Sequence, residues 1–312
     1  MEIFLTGATG FVGGYVLEQL VRQGHTVRCL VRPGAEHKLR VRNSQVTVIR
    51  GDVLVPFALR EHIQGCEATI HLIGIIEEQP RQGITFERVH VEGTRFIIQE
   101  SRAARIPRFI HMSANGARPD GKTRYQITKW QAEQLVQQAG FKHWVIFRPS
   151  FIFGDPGKGH PDIAVELARK LITPFPVIPI LGDGKYPGQP IYVGEVAQAF
   201  TQAIVLESAH RQIFCAAGPE VLTFNQIVDR ISLALYEKVK PKMHLPLALA
   251  KVLVQTAGRI GLLPITPDQF AMLIEGNTCD SSSFYRTFGL TPVPFTPEHL
   301  AYVKKYVSGL SG

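Results

Sequence analysis

At 312 residues the chain is long for one simple domain and suits a large α/β unit carrying a smaller lobe. Its 45% hydrophobic and 19% charged residues match a soluble globular protein and leave disorder to the ends. The formal charge of +8 is spread along the chain, densest between Arg22 and Arg50; no recognised nucleic-acid motif accompanies it, so no nucleic-acid partner is expected.

Cys29, Cys66, Cys215 and Cys279 are far apart and form no C-x-x-C pair, which argues against a disulfide framework and a zinc site; no metal is expected, and a reducing compartment fits. The N-terminus runs into a strand with no signal-peptide pattern, so a cytoplasmic location is expected. The most apolar late stretch, Leu245 to Ile265, is broken by Lys251, Gln255, Arg259 and two prolines. That rules out an ordinary membrane span and leaves open an amphipathic helix lying on a membrane or a partner.

In chain order, strands are predicted at Ile3–Thr6, Thr26–Val31, Val46–Arg50, Ala68–Ile73, Arg108–Met112 and Val145–Arg148. Helical spacing occupies Phe11–Gln23, Phe86–Ala104 and Tyr125–Gln138. This alternation predicts a Rossmann-type, doubly wound parallel α/β sheet over residues 1–150. Loops rich in Gly and Pro, Gly154–Gly159 and Pro174–Pro190, open a smaller lobe over 151–312, from which about 191–217 return to the sheet through a helix at Gly194–Leu206 and a strand at Gln212–Cys215. Helices follow near Thr223–Tyr236, Leu247–Ala257 and Thr266–Ile274.

Gly7-Ala8-Thr9-Gly10-Phe11-Val12-Gly13 follows a strand and opens a helix, the context of a dinucleotide phosphate loop. Gly7 permits the tight turn, Gly10 the approach of a pyrophosphate and Gly13 the close packing of helix on strand, while the helix N-terminus offers N–H groups to phosphate. Specificity is read at the end of the second strand, where Arg32 stands in place of an acidic residue. A guanidinium there grips a 2′-phosphate, so NADP(H) is favoured with NAD(H) as the alternative. Asp52 and Val53 after the third strand are placed to meet the adenine, and Ile73 and Gly74 after the fourth to border the ribose.

Tyr125 and Lys129 lie one helical turn apart on one face. A lysine charge lowers the cost of ionising the phenol and can hold the nicotinamide ribose, while the tyrosine exchanges a proton with a substrate hydroxyl or carbonyl.

With both motifs in order the chain resembles the extended short-chain dehydrogenase/reductase superfamily, the NAD-dependent epimerase/dehydratase family. The resemblance extends to Val91-Glu92-Gly93-Thr94, Arg148–Gly154, Gly182-Asp183-Gly184 and Ile191–Ala197. It implies that Pro149 and Phe151 neighbour the nicotinamide. The family's Ser or Thr after the fifth strand corresponds to Ser113 or Asn115, its helix asparagine to His90, and the Arg-Asp of its nucleotide-sugar enzymes to Gly188-Gln189. Such a substrate is therefore disfavoured. The Gln189–Val193, Leu245-Pro246 and Thr266–Phe270 segments resemble an atypical branch that contains the nucleotide-binding accessory subunit of respiratory complex I. Two functions follow. One is an oxidoreductase or epimerase acting on a small carbonyl or hydroxyl substrate; the other is a non-catalytic NADP(H)-binding protein of a larger complex, with peripheral membrane contact open. Oligomeric state is not legible.

Overall fold

Runs of Val, Ile, Leu and Phe too short for a buried helix and bounded by turns become strands, and strands apolar on both faces need helices on both faces. The computed structural model describes residues 1–55, 59–254 and 265–307. Its central sheet has seven strands: β1 (Glu2–Thr6), β2 (Thr26–Val31), β3 (Val46–Arg50), β4 (Ala68–His71), β5 (Arg108–Met112), β6 (His143–Pro149) and β7 (Gln212–Ala216). They lie in the order β3-β2-β1-β4-β5-β6-β7, every neighbouring pair parallel. Leu5 of β1 pairs with Cys29 on one side and Ile70 on the other, so the strand order reverses between β1 and β4. A ligand crevice opens at the carboxyl ends of the strands at such a point.

Four helices frame that crevice: α1 (Phe11–Arg22), α2 (Gly93–Ala103), α3 (Arg124–Gln138) and α4 (Val193–Gln202). On one face, Val16, Leu17 and Leu20 of α1 and Val196 and Phe200 of α4 share a core with Leu5, Ile70, Val145 and Phe147. On the other, Ile97 of α2 and Val136 of α3 close over Phe4, Phe109 and Ile146. The fold is thus the Rossmann-type sheet that the alternating pattern predicts.

Three elements differ from expectation. The helix predicted over Phe86–Ala104 begins with a widened i→i+5 stretch at Glu87–Glu92 and becomes regular only at Gly93. Such wide turns relieve local crowding and recur at functional sites. Within the predicted loop Pro174–Pro190, Ile178–Leu181 forms a parallel pair with Lys242–Leu245, burying Ile178 and Ile180 in the second core; a two-stranded pair tolerates the missing donor of Pro179 at its edge. Finally, Ser282–Phe288 is an unforeseen short helix without a side-chain cap. It forms because Phe284 and Phe288 are driven onto Phe147, with ring centroids 6.1 and 5.4 Å away.

The helix expected over Leu247–Ala257 is present over Leu247–Leu253; residues 255–264, about half of the apolar stretch, lie outside the described residues. Among the described residues no helix is long and apolar enough to cross a membrane.

Candidate functional site

The turn after β1 is built on close backbone contact. Gly7 has φ +80°, and its carbonyl accepts the Gly10 N–H at 2.9 Å. A Cβ on Gly13 would sit 2.0 Å from that carbonyl, so α1 can lie this near β1 only because residue 13 has no side chain. Gly10 caps α1 without a side-chain bond, leaving the first-turn N–H groups of Phe11, Val12 and Gly13 to backbone neighbours or to an anion. Thr9 is half-buried in the turn. The Gly154–Gly159 loop closes on the same helix end: a Cβ on Gly159 would stand 3.1 Å from Phe11 Cα.

Around the crevice the other expected cofactor neighbours are arranged in order. Arg32, at the end of β2, is exposed, and its guanidinium has no hydrogen bond or ion pair among the described residues. Asp52 turns its carboxylate onto the Leu54 N–H at 2.9 Å, and Val53 is buried against Gly93. Ile73 is half-buried, and Gly74 beyond it is crowded by Lys129, whose Nζ lies 2.8 Å from where a Gly74 Cβ would stand.

Thr123 and Gln126 start α3 with a reciprocal capping box, fixing the register of Tyr125 and Lys129 in the first turns. Lys129 is buried at 3% exposure and donates to the Met112 carbonyl at 3.2 Å. Burial lowers its ammonium to about 8, against the opposing effect of Glu133 one turn on. Glu133 is itself fully buried and held by Arg148 of β6 through a two-pronged ion pair, Nε to Oε1 at 2.8 Å. Tyr125 packs edge-on to Phe86 and His90, with centroids 5.6 and 5.5 Å away, and its hydroxyl has no hydrogen-bond partner among the described residues. Burial pushes this phenol up to about 12. The expected easing of its ionisation by Lys129 is not met here, because the ammonium is turned to Met112 and Gly74.

His90 is more than a packed helix residue. Its Nε2 lies 3.1 Å from both the N–H and the carbonyl of Ile75, accepting from the first in one tautomer and donating to the second in the other, while Nδ1 lies 3.0 Å from Thr128 Oγ1, which itself donates to the Arg124 carbonyl at 2.8 Å. Burial and the Lys129 charge keep it neutral. It thereby ties the loop after β4 to α3.

Ser113 and Asn115 part company. Ser113 is 3% exposed, and its hydroxyl is an orphaned buried polar atom. Asn115 is engaged elsewhere, its amide donating to Asn277 Oδ1 at 2.7 Å and the Thr278 carbonyl at 3.1 Å. It is therefore a poor stand-in for a substrate-facing hydroxyl. Pro149 is buried, its carbonyl accepting the Asn115 N–H at 2.9 Å, and Phe151 lies against Gly188, 3.0 Å from where a Cβ would be. Gln189, in the place of a diphosphate-gripping arginine, is 8% exposed and spans Gly218 and Cys279.

Sequence reasoning missed the contribution of the last lobe. Glu275 accepts from Gln126 at 2.9 Å and from Arg118, while Asn277, Thr278 and Cys279 meet Asn115 and Gln189. No local signal marks these residues, since each acts only across a long chain reversal. Two open clefts of about 280 and 520 Å³ border Glu18 and Arg40 on the outer side of α1 and do not include Tyr125 or Lys129. Converging buried polar groups mark the candidate site.

Residues 3–216 match the NAD dependent epimerase/dehydratase family. Over 97% of its length the chain is 25% identical to the NADH-ubiquinone oxidoreductase 40 kDa subunit, mitochondrial, of Neurospora crassa, covering 78% of that protein. It is 34% identical to the ceramide reductase of Caulobacter vibrioides over 58% of this chain, and the match spans about half, 54%, of that relative. Among solved structures, UDP-glucuronic acid 4-epimerase from Bacillus cereus in complex with NAD superposes over 100% of both chains with a TM-score of 0.77 at 19% identity.

Proposed function

The chain belongs to the NAD dependent epimerase/dehydratase family, and on that premise we propose that it is an NADP(H)-dependent oxidoreductase acting on a carbonyl or hydroxyl substrate through Tyr125 and Lys129. The observation that carries this reading is the buried Lys129 ammonium against Gly74, one turn from a tyrosine whose hydroxyl is free. The Gly7–Gly13 cradle, which any side chain at residue 13 would fill, and the uncapped start of α1 suit a pyrophosphate. Arg32, unpaired and exposed, suits a 2′-phosphate. Asp52, Val53, Ile73, Pro149 and Phe151 line the remaining path of the dinucleotide.

A bound nicotinamide supplies or takes the hydride. Tyr125, kept protonated by burial, donates to the substrate oxygen when a carbonyl is reduced, and Lys129 holds ribose hydroxyls. Ser113 Oγ, with no hydrogen-bond partner among the described residues, is available to orient the substrate oxygen. The name of the Caulobacter relative puts long-chain ketones among the substrates to try first.

A second reading has its own support. Asn115 and Gln189 are occupied in holding the last lobe, and a relative that matches 97% of this chain is a subunit of NADH-ubiquinone oxidoreductase. In that reading NADP(H) stabilises a non-catalytic protein that docks on a larger assembly, with peripheral membrane contact.

NADPH oxidation with a panel of carbonyls, including long-chain ketones, separates the two. Tyr125→Phe is expected to lower turnover roughly 100-fold or more while NADPH still raises the melting temperature. If no carbonyl oxidises NADPH and the cofactor still stabilises both proteins, the non-catalytic reading stands. Arg32→Asp is expected to erase the preference for NADPH over NADH in the same thermal titration; an unchanged preference removes Arg32 from cofactor choice.

A further inference from the structure

One residue of the loop at 154–159 is held from two sides. The Asp155 carbonyl accepts from the Tyr15 hydroxyl of α1 at 2.9 Å and from the Arg40 guanidinium. Its carboxylate accepts from Lys305 Nζ at 3.1 Å and from the Tyr306 hydroxyl, both on the helical segment at 301–307. Against partial burial, the bonds from Tyr306, the Gly157 N–H and Lys305 keep this carboxyl below its ordinary value, so the tie is made of charged hydrogen bonds. One turn earlier on the same segment, Tyr302 holds the start of the loop. The Gly154 N–H donates to the Tyr302 hydroxyl and to Asp162 Oδ2, each at 3.0 Å, and Tyr302 donates in turn to Asp162.

From these holds the loop runs to the phosphate cradle. Gly159 rests on the first residue of α1, where a Cβ would stand 3.1 Å from Phe11 Cα and 3.2 Å from Phe11 N, beside the N–H groups suited to an anion. Gly157, Lys158 and His160 are exposed. Little burial fixes the tip, and the polar tie at Asp155 keeps it down.

We propose that the segment at 301–307 belongs to the cofactor site: Tyr302, Lys305 and Tyr306 act through Gly154 and Asp155 as positioning residues that hold the 154–159 loop over the pyrophosphate and so retain the dinucleotide. This rests on the reading of Gly7–Gly13 as a phosphate cradle. A dinucleotide whose phosphates lie on the start of α1 leaves only when the loop tip lifts, and lifting it breaks the bonds to the Asp155 carboxylate. The tie therefore acts on release of the cofactor, a step separate from hydride transfer.

Two variants of the full chain test this, with NADPH as the probe. The Tyr302 and Tyr306 rings also pack on the second core, and Tyr306→Phe keeps that packing while removing the hydroxyl. Lys305→Gln alters a side chain that is 69% exposed and leaves the core alone. Release of NADPH is followed by stopped-flow fluorescence, and trypsin cleavage after the exposed Lys158 is followed by mass spectrometry. Tyr306→Phe is expected to release NADPH roughly 10-fold faster and Lys305→Gln about twofold to threefold faster. Cleavage at Lys158 should be accelerated in both, and NADPH should protect wild type more than either variant. Melting temperatures without cofactor should stay within about 5 °C of wild type, which separates the tie from a general loosening of the fold. Variants that release NADPH and are cut at wild-type rates overturn the proposal and leave the cofactor reading intact. A wild-type protein that binds no NADPH overturns that reading and the proposal with it.

Discussion

The two margins of the crevice are held by different physics. At the β1–α1 margin, contact is between backbones: Gly13 lies directly on the Gly7 carbonyl, and behind it Val16, Leu17 and Leu20 are fully buried against Ile3 and Leu5. At the β6–β7 margin, contact is between polar side chains from distant parts of the chain. Arg148 grips Glu133; Glu195 of α4 accepts from Tyr285 at 2.7 Å and from the Val293 N–H; Asn115 and Gln189 hold residues 277–279. The contact of Gly13 with Gly7 at the first margin involves no titratable group and is broken by added volume. The second is tunable by protons.

Three substitutions probe this contrast, from the largest expected effect to the smallest. Gly13→Ala places a methyl on the Gly7 carbonyl and is expected to destabilise the protein by more than about 3 kcal/mol, at every pH and with loss of cofactor-induced stabilisation. Urea unfolding at two pH values checks this, and a cost under about 1 kcal/mol would show that α1 can back away from β1.

At the other margin, Glu133→Gln leaves the Arg148 charge without its carboxylate. A loss of about 3 kcal/mol is expected, discounted from the deep-burial range because the Arg148 side chain is 24% exposed. Because Glu133 raises Lys129, the same variant should also move the alkaline limb of any NADPH-linked activity to lower pH. An unmoved limb would mean that the limb does not report Lys129.

The smallest effect is the most diagnostic. Burial raises Glu195 to about 7 and Asp162, which accepts from Gly154 N–H and Tyr302, to about 6. Both folded-state values lie above those of the unfolded chain, so the folded protein holds these protons more tightly. The stability they contribute is fully present below the unfolded carboxyl values and is lost as pH rises through about 6 and about 7. Stability should therefore decline from pH 5 to pH 8 by an amount in which Glu195 accounts for on the order of 2 kcal/mol. Glu195→Gln should flatten that part of the slope in melting curves; an identical slope would place the titrating group elsewhere.

What was legible in the sequence follows the same division. Strands β2, β3 and β5 have the ends that their apolar runs predict, because local propensity and burial agree there. The glycine loop and the Tyr125–Lys129 turn were legible because each is a contiguous motif whose geometry is local. The engagement of Asn115, the role of Gln189 and the helix at Ser282–Phe288 were not. Each depends on which distant segment the chain presses against the sheet, and a single side chain carries no record of its long-range partner. His90 lies between the cases: its position was read, but its hold on Ile75 and Thr128 needed the widened turn that carries it.

The Phe284 and Phe288 rings that complete the cover over Phe147 and Phe214 also set an order of assembly. On the ribosome, strands β1 to β7 are all made before these rings emerge, so the nascent sheet waits with a bare aromatic flank until residue 288 has been synthesised. That flank is the surface a chaperone would be expected to shield, and the last lobe is the piece whose arrival releases it.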